Sequence, residues 1–187
     1  FLPVRDISAI AVAVVSLVTI RRKNVHLDLV APVIGFVGLI AAAIHATDGA
    51  SNITVNLLRV IVGTVFLGAV SDAMLLGHWY LVQPGMPRSI LNELVDALRW
   101  ILPIEVVVML IPTGMISVLS GTVDDGWNGT LGWFWVACAV TTAVLIEVTR
   151  AALKERSYSA VMAATGLLYL AILTAFGTDL VARAVLA

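Results

Sequence analysis

The sequence predicts an all-α integral membrane protein, a polytopic bundle of six transmembrane helices with a short amphipathic helix at the membrane interface. Two observations favour this class. Hydrophobic residues make up 60% of the 187 residues and charged residues only 12%, which leaves too little polar surface for a soluble domain of this size. The apolar residues also form six long continuous runs, whereas a transmembrane β-barrel would show shorter segments of alternating polarity.

The six apolar runs define the expected spans, because about 20 apolar residues cross the hydrocarbon core as a helix. The first run is short for a span, so we expect residues 1–4 to complete it or a segment absent from this sequence to precede it. The whole chain, 1–187, is expected to be a single transmembrane domain. The expected spans cover residues 1–20, 29–46, 57–82, 102–119, 131–148 and 159–186.

A short amphipathic helix is expected at residues 89–101, between the third and fourth spans. On one side, polar residues recur at helical spacing: Arg88, Asn92, Asp96 and Arg99. Apolar residues occupy the other side, a pattern typical of a helix that lies on the membrane surface. Pro103 then predicts a bend at the entrance of the fourth span, because proline lacks a backbone donor and clashes with the preceding turn. Pro112 predicts a kink within that span.

The positive charges of the loops predict the orientation of the chain. Most of them follow the first, third and fifth spans: Arg21, Arg22, Lys23, Arg88, Arg150, Lys154 and Arg156. By the positive-inside rule these three loops are cytoplasmic, and both ends of this sequence face outside. Residues 75–82 and 166–173 resemble segments of bacterial polytopic membrane proteins of no named family, so the resemblance implies no activity. We expect multi-pass insertion in the bacterial cytoplasmic (inner) membrane.

Composition and motifs exclude several classes of protein. The formal net charge of −1 excludes a nucleic-acid-binding protein, because the chain lacks the excess positive charge that attracts phosphates. Cys138 is the single cysteine, so the chain forms no internal disulfide and no cysteine-rich metal site. Both lysines fall in loops, which excludes a retinal-type Schiff base. With no phosphate-binding glycine loop or zinc-protease motif, we expect no independent catalytic activity, and the expected partners are the lipid bilayer and other membrane subunits.

The candidate cofactor-binding residues are centred on His78, within the third span. Counting from the turn near residue 52 places His26 and His78 at equal distances along a hairpin, as two axial ligands of a b-type haem require. Met74 lies one turn before His78 and is expected to line the same pocket. An ordinary histidine at headgroup level is the alternative for His26.

Trp79 and Tyr80 follow His78 directly and offer flat surfaces and two hydrogen-bond donors. Together with Asp72 as a proton source they suit the headgroup of a quinone. Aromatic residues at this position are equally typical of the interfacial belt of a membrane protein. Haem b and quinone are therefore the cofactor hypotheses, and an aromatic belt is the alternative.

Three acids form a second candidate site for an ion or a proton: Asp72, Glu105 and Glu147. All three are expected in the cytoplasmic half of the bundle, where an ionisable residue is costly and marks a functional site by default. Simpler pairings are the alternatives. Glu147 and Arg150 are spaced i, i+3 and can form a surface ion pair, and Arg99 lies at a suitable depth to pair with Asp72.

These residues support three functional hypotheses. The first is an anchor or accessory subunit of a larger respiratory or other electron-transfer complex, in contact with haem b or quinone near His78. The second is a small carrier or channel that uses Asp72, Glu105 and Glu147 to bind a cation or to relay protons. The third is a purely structural packing subunit.

Overall fold

A computed structural model describes residues 2–21, 25–45, 52–83, 85–111 and 114–186. About 85% of these described residues are helical and none lies in a strand, which confirms the predicted all-α class. The helices, in chain order, are α1 (Leu2–Thr19), α2 (Val25–Asp28), α3 (Val30–His45), α4 (Ile53–Val82), α5 (Ser89–Leu110), α6 (Met115–Leu119), α7 (Thr130–Leu153) and α8 (Tyr158–Leu186).

Among the described residues, three helices are long and apolar enough to cross a membrane: α4, α7 and α8, of 30, 24 and 29 residues. At 1.5 Å per residue, even the shortest is about 36 Å long, which exceeds the roughly 30 Å of the hydrocarbon core. They contain the spans expected at 57–82, 131–148 and 159–186. The helix α3 is apolar but shorter, with 16 residues.

The chain divides into two compact units, Phe1–Ile61 and Val62–Ala187. In the first unit, α1 packs against α3. The two helices approach closely at Gly38, where a β-carbon would lie only 2.8 Å from the β-carbon of Ser8. Small residues at such crossings are how membrane helices pack when lipid offers no hydrophobic driving force.

In the second unit, α8 packs along α7, and α5 packs against α7. Side chains of four helices form the core: Phe66 and Val70 of α4, Leu91 and Leu98 of α5, Ile146 of α7 and Leu168 of α8. Close helix approaches again involve glycine, since a β-carbon on Gly77 would lie 2.8 Å from the Thr165 hydroxyl. The helix α4 therefore contacts α8 within this unit.

The fourth expected span differs from the structure at its start. The helix α5 runs unbroken from the expected surface helix through Pro103 to Leu110, so no boundary lies between residues 101 and 102. The reason is a continuous buried face at spacings of three and four residues: Leu91, Val95, Leu98, Leu102, Glu105 and Met109. Packing along this face outweighs the single backbone hydrogen bond that Pro103 removes.

The helix α5 ends instead at Leu110. Ile111 adopts an extended backbone, with φ −111° and ψ 155°, because the residue before a proline disfavours the helical region. Pro112 itself, and the kink expected there, lie outside the described residues. The expected span 102–119 is therefore divided between the end of α5 and the short helix α6.

Candidate functional site

Glu105 lies on the buried face of α5 and is the central residue of the candidate site. Its side chain is completely inaccessible. Within the described part of the chain, neither Oε1 nor Oε2 has a hydrogen-bond partner. A buried carboxylate without partners is strongly destabilising, whereas the protonated acid carries no charge. Protonation is therefore the state of Glu105 that these surroundings favour.

Asp179 and Arg183 of α8 lie next to Glu105. They are spaced i, i+4, and the Arg183 Nε donates to Asp179 Oδ2 over 2.7 Å. Asp179 is only 6% exposed, and its Oδ1 has no hydrogen-bond partner among the described residues. The Arg183 side chain is 38% exposed. The ion pair thus extends from the surface of the bundle to its interior.

Gly63 of α4 shows how closely these groups converge. A β-carbon on Gly63 would lie 2.5 Å from Arg183 Nη2, 2.7 Å from Asp179 Oδ1 and 3.5 Å from Glu105 Oε1. Both carboxyl groups and the guanidinium therefore surround one point on the surface of α4. A larger residue at position 63 would displace the ends of these three polar side chains.

Within the second unit, two carboxyl groups and one guanidinium face each other at this point. Arg183 bonds to Asp179, so Glu105 is the carboxyl group without an ion-pair hydrogen bond. Two neighbouring carboxylates disfavour each other's ionised form in a low-dielectric site. This arrangement can hold one exchangeable proton, and a change in the Asp179–Arg183 pair would change how tightly Glu105 holds it.

The structure separates the three acids that the sequence suggested as one group. Asp72 is exposed on α4, nine residues after Gly63 and thus about 13 Å along the helix. Glu147 is also exposed and binds two arginines, with Oε1 2.8 Å from Arg99 Nε and Oε2 3.0 Å from Arg150 Nη1. The expected Glu147–Arg150 ion pair is present, and Arg99 pairs with Glu147, not with Asp72.

Asp179 and Arg183 were not among the residues suggested by the sequence. The sequence does indicate both residues, because an acid and a base four residues apart lie within the last expected span, 159–186. The same membrane cost that singles out Asp72 applies to Asp179. The packing of α8 beside α4 and α5, which brings this pair to Glu105, is a tertiary contact that local sequence does not indicate.

The residues around His78 form a separate group on α4. His78 is exposed, and its Nδ1 lies 3.4 Å from the hydroxyl of Tyr169 on α8, with the two rings edge to face. Trp79 is half exposed, at 51%. Tyr80 is buried and donates its hydroxyl hydrogen to the carbonyl of Pro87. Met74 packs against the core of the second unit.

His26 lies in the first unit, exposed on α2, whereas His78 belongs to the second unit. The hypothesis that the two histidines bind one haem stays a prediction. Among the described residues, no group of three His, Cys, Asp or Glu side chains is arranged to hold a metal ion.

No protein-family model matches this sequence, and neither a curated protein nor a solved structure is significantly similar to it.

Proposed function

We propose that this protein is a small multi-pass carrier or channel of the bacterial cytoplasmic membrane in which Glu105 binds and releases a proton. One observation carries the proposal: Glu105 is fully buried among apolar helices, and both of its carboxyl oxygens lack a hydrogen-bond partner in the described chain. Ionisable residues inside membrane helices are expensive and characteristically mark ion or proton pathways.

The neighbouring ion pair supports reversible binding. Asp179 lies beside Glu105 and disfavours a second negative charge, whereas Arg183 favours it. The opposing influences of the two residues suit a group that must take up and release a proton. The partial exposure of Arg183, at 38%, supports a route to the site from the end of α8.

The proposal includes six spans, with the loops after the first, third and fifth on the cytoplasmic side. Three of the spans are supported by α4, α7 and α8, whose length and composition suit a membrane. The distribution of Lys and Arg supports the orientation. In this orientation the Glu105 site, beside Gly63 of α4 and Asp179 near the end of α8, lies towards the outer side and not in the cytoplasmic half expected from the sequence.

Proton flux into liposomes tests the function. The 187-residue chain is reconstituted into liposomes that contain a pH-sensitive dye, and a potassium diffusion potential drives protons across the membrane. We expect wild-type protein to raise the flux above that of empty liposomes and Glu105→Gln to abolish the increase, because an amide has the same shape but exchanges no proton. Infrared spectroscopy should show a protonated carboxylic acid band in the wild type that is missing from Glu105→Gln.

The matched control is Glu93→Gln, which neutralises an exposed acid on the same helix and should leave both the flux and the infrared band unchanged. Asp72→Asn and Glu147→Gln examine whether the other two predicted acids belong to the path. Wild-type flux equal to that of empty liposomes would contradict the carrier or channel function. A Glu105→Gln variant that keeps the full flux would remove Glu105 from the path.

A second candidate function is an accessory subunit of an electron-transfer complex, favoured by the exposed contact between His78 and Tyr169. An imidazole and a phenol at the surface of a bundle can donate hydrogen bonds to the carbonyl groups of a quinone, and Trp79 exposes a flat ring beside them. Haem contact near His78 belongs to the same proposal. Absence of proton flux in the wild-type protein would favour this accessory function over the carrier or channel.

A further inference from the structure

A cationic cavity lies between the end of α7 and the start of α5. It has a volume of about 420 Å³ and is lined by Arg88, Asn92, Leu153, Lys154 and Arg156. Arg88 joins its two sides, because Nη1 of Arg88 lies 3.4 Å from the carbonyl oxygen of Glu155. The cavity therefore lies between two helices that also pack against each other.

The charges around this cavity favour an anion. Arg88, Lys154 and Arg156 contribute three positive charges to the lining, and Glu155, in the same loop, contributes one negative charge. A smaller cavity of about 220 Å³ adjoins it and shares Asn92, Leu153 and Lys154 with it. Its lining also includes Asp96 and Arg150, which neutralise each other in an ion pair. Asp96 of the adjoining cavity is therefore already paired with Arg150, and the described lining of the larger cavity contains three basic side chains and no acidic one.

The position of the cavity places it at the level of lipid headgroups. The apolar helix α7 is long enough to cross the membrane and ends at Leu153, so the residues that follow emerge from the hydrocarbon core. Tyr158, at the start of α8, donates its hydroxyl hydrogen to the Leu81 carbonyl at the end of α4. The end of α4 and the start of α8 thus meet just after the loop that follows α7, and basic pockets at the ends of spanning helices bind anionic headgroups.

We propose that this cavity binds a phosphate group. Arginine and lysine form charge-assisted hydrogen bonds with phosphate oxygens, and the Asn92 amide offers two further donors. Leu153 adds apolar surface to the same lining, which suits a phosphate that is attached to a diacylglycerol, as in a phospholipid. The phosphate can belong to an anionic phospholipid or be free in solution, and this inference is independent of the proton site at Glu105.

Binding of two probes to the 187-residue chain in mild detergent tests the proposal. Phosphatidylglycerol and inorganic phosphate are titrated separately, and binding is measured by native mass spectrometry and calorimetry. The double variant Lys154→Gln, Arg156→Gln should weaken binding by at least about tenfold, because each charge-assisted bond contributes roughly that much. The double variant Lys154→Arg, Arg156→Lys keeps both charges and should retain binding.

The matched control is Arg21→Gln, which removes an exposed cation that is not part of the cavity lining. If the neutral double variant loses binding of phosphatidylglycerol only, the phosphate belongs to a lipid headgroup. Loss of inorganic phosphate binding identifies a soluble phosphate. Equal weakening by Arg21→Gln, or no weakening by the neutral double variant, would overturn the proposal. Circular dichroism and size-exclusion chromatography confirm that each variant is folded.

Discussion

The carboxylate of Asp125 organises the turn that begins α7. Its Oδ1 accepts hydrogen bonds from the backbone N–H groups of Trp127 and Gly129 over 2.9 and 2.8 Å, and its Oδ2 accepts from Leu131 over 2.9 Å. Gly129 has a φ of 80°, a left-handed conformation that suits glycine. One side chain therefore binds two N–H groups of the turn and the N–H of Leu131, which the helix start leaves without an intrahelical partner.

The hydrogen bonds at Asp125 change its pKa. Burial by itself would raise the pKa of this carboxyl group, but the backbone N–H groups that bind the charged form lower the pKa below its ordinary value. Because the folded pKa is the lower one, the stabilisation is fully present above the unfolded pKa of about 3.9. It is lost as the pH falls through the folded pKa.

We predict that Asp125→Ala loosens the start of α7. The amide hydrogens of Gly129 and Leu131 should exchange several-fold faster in hydrogen–deuterium exchange, because both lose the acceptor that Asp125 provides. Asp124→Ala is the control, since the described contact of Asp124 is with the N–H of Gly126. Equal acceleration in both variants would show that Asp125 has no special role in the turn.

At the residue scale, the sequence identified part of the candidate site. Glu105 was predicted because an acid within an apolar run is costly, and this cost is evident from the run itself without knowledge of the residues that contact Glu105. Its partners were not predicted, since the contact among Glu105, Asp179 and Gly63 joins three helices that are distant in the chain. The Glu147–Arg150 pair was predicted correctly because both residues lie on one helix, three positions apart.

At the element scale, packing decided where helices begin and end. The helices α4, α7 and α8 follow the expected spans closely, because a continuous apolar run in lipid must satisfy its backbone within a helix. The helix α5 passes through Pro103 since its buried face continues on both sides of the proline. A proline at one position is a local signal, whereas the buried face is supported by contacts along the whole helix.

We predict that the contact between α1 and α3 depends on Gly38. Gly38→Ala should lower the free energy of unfolding by about 1–3 kcal/mol, as overpacking does, because the new β-carbon would lie 2.8 Å from the Ser8 β-carbon. Both atoms are attached directly to a helix backbone, so the helices must move apart. Unfolding of the full chain in mixed detergent micelles measures the change.

Gly35→Ala on the same helix is the matched control. A β-carbon on Gly35 would lie 3.6 Å from the nearest side-chain atom of Val12, an ordinary van der Waals distance. This substitution should be neutral or stabilising by up to about 1 kcal/mol, because alanine favours a helix over glycine. If Gly35→Ala destabilises the protein as much as Gly38→Ala, the close approach at Gly38 is not what limits packing.

At the scale of the whole molecule, the proposed orientation predicts which loops face outside. In a Cys138→Ser background, Thr122→Cys places a thiol in the exposed loop before α7, and Glu155→Cys places one in the exposed loop after it. A membrane-impermeant maleimide added to intact cells should label the first and not the second, because the positive loop stays in the cytoplasm. Permeabilised cells should show labelling of both, and the reverse pattern in intact cells would contradict the orientation.

The sequence by itself determined the class of this protein. Its apolar composition and long uninterrupted runs suit lipid surroundings, and within lipid a helix satisfies the backbone. Only the tertiary structure decided which polar residues meet, namely that Glu105 faces Asp179 and Arg183 across Gly63. The physical reason is that hydropathy depends on each residue and its near neighbours, whereas a contact between helices depends on how each is rotated about its axis and on which helix lies beside it.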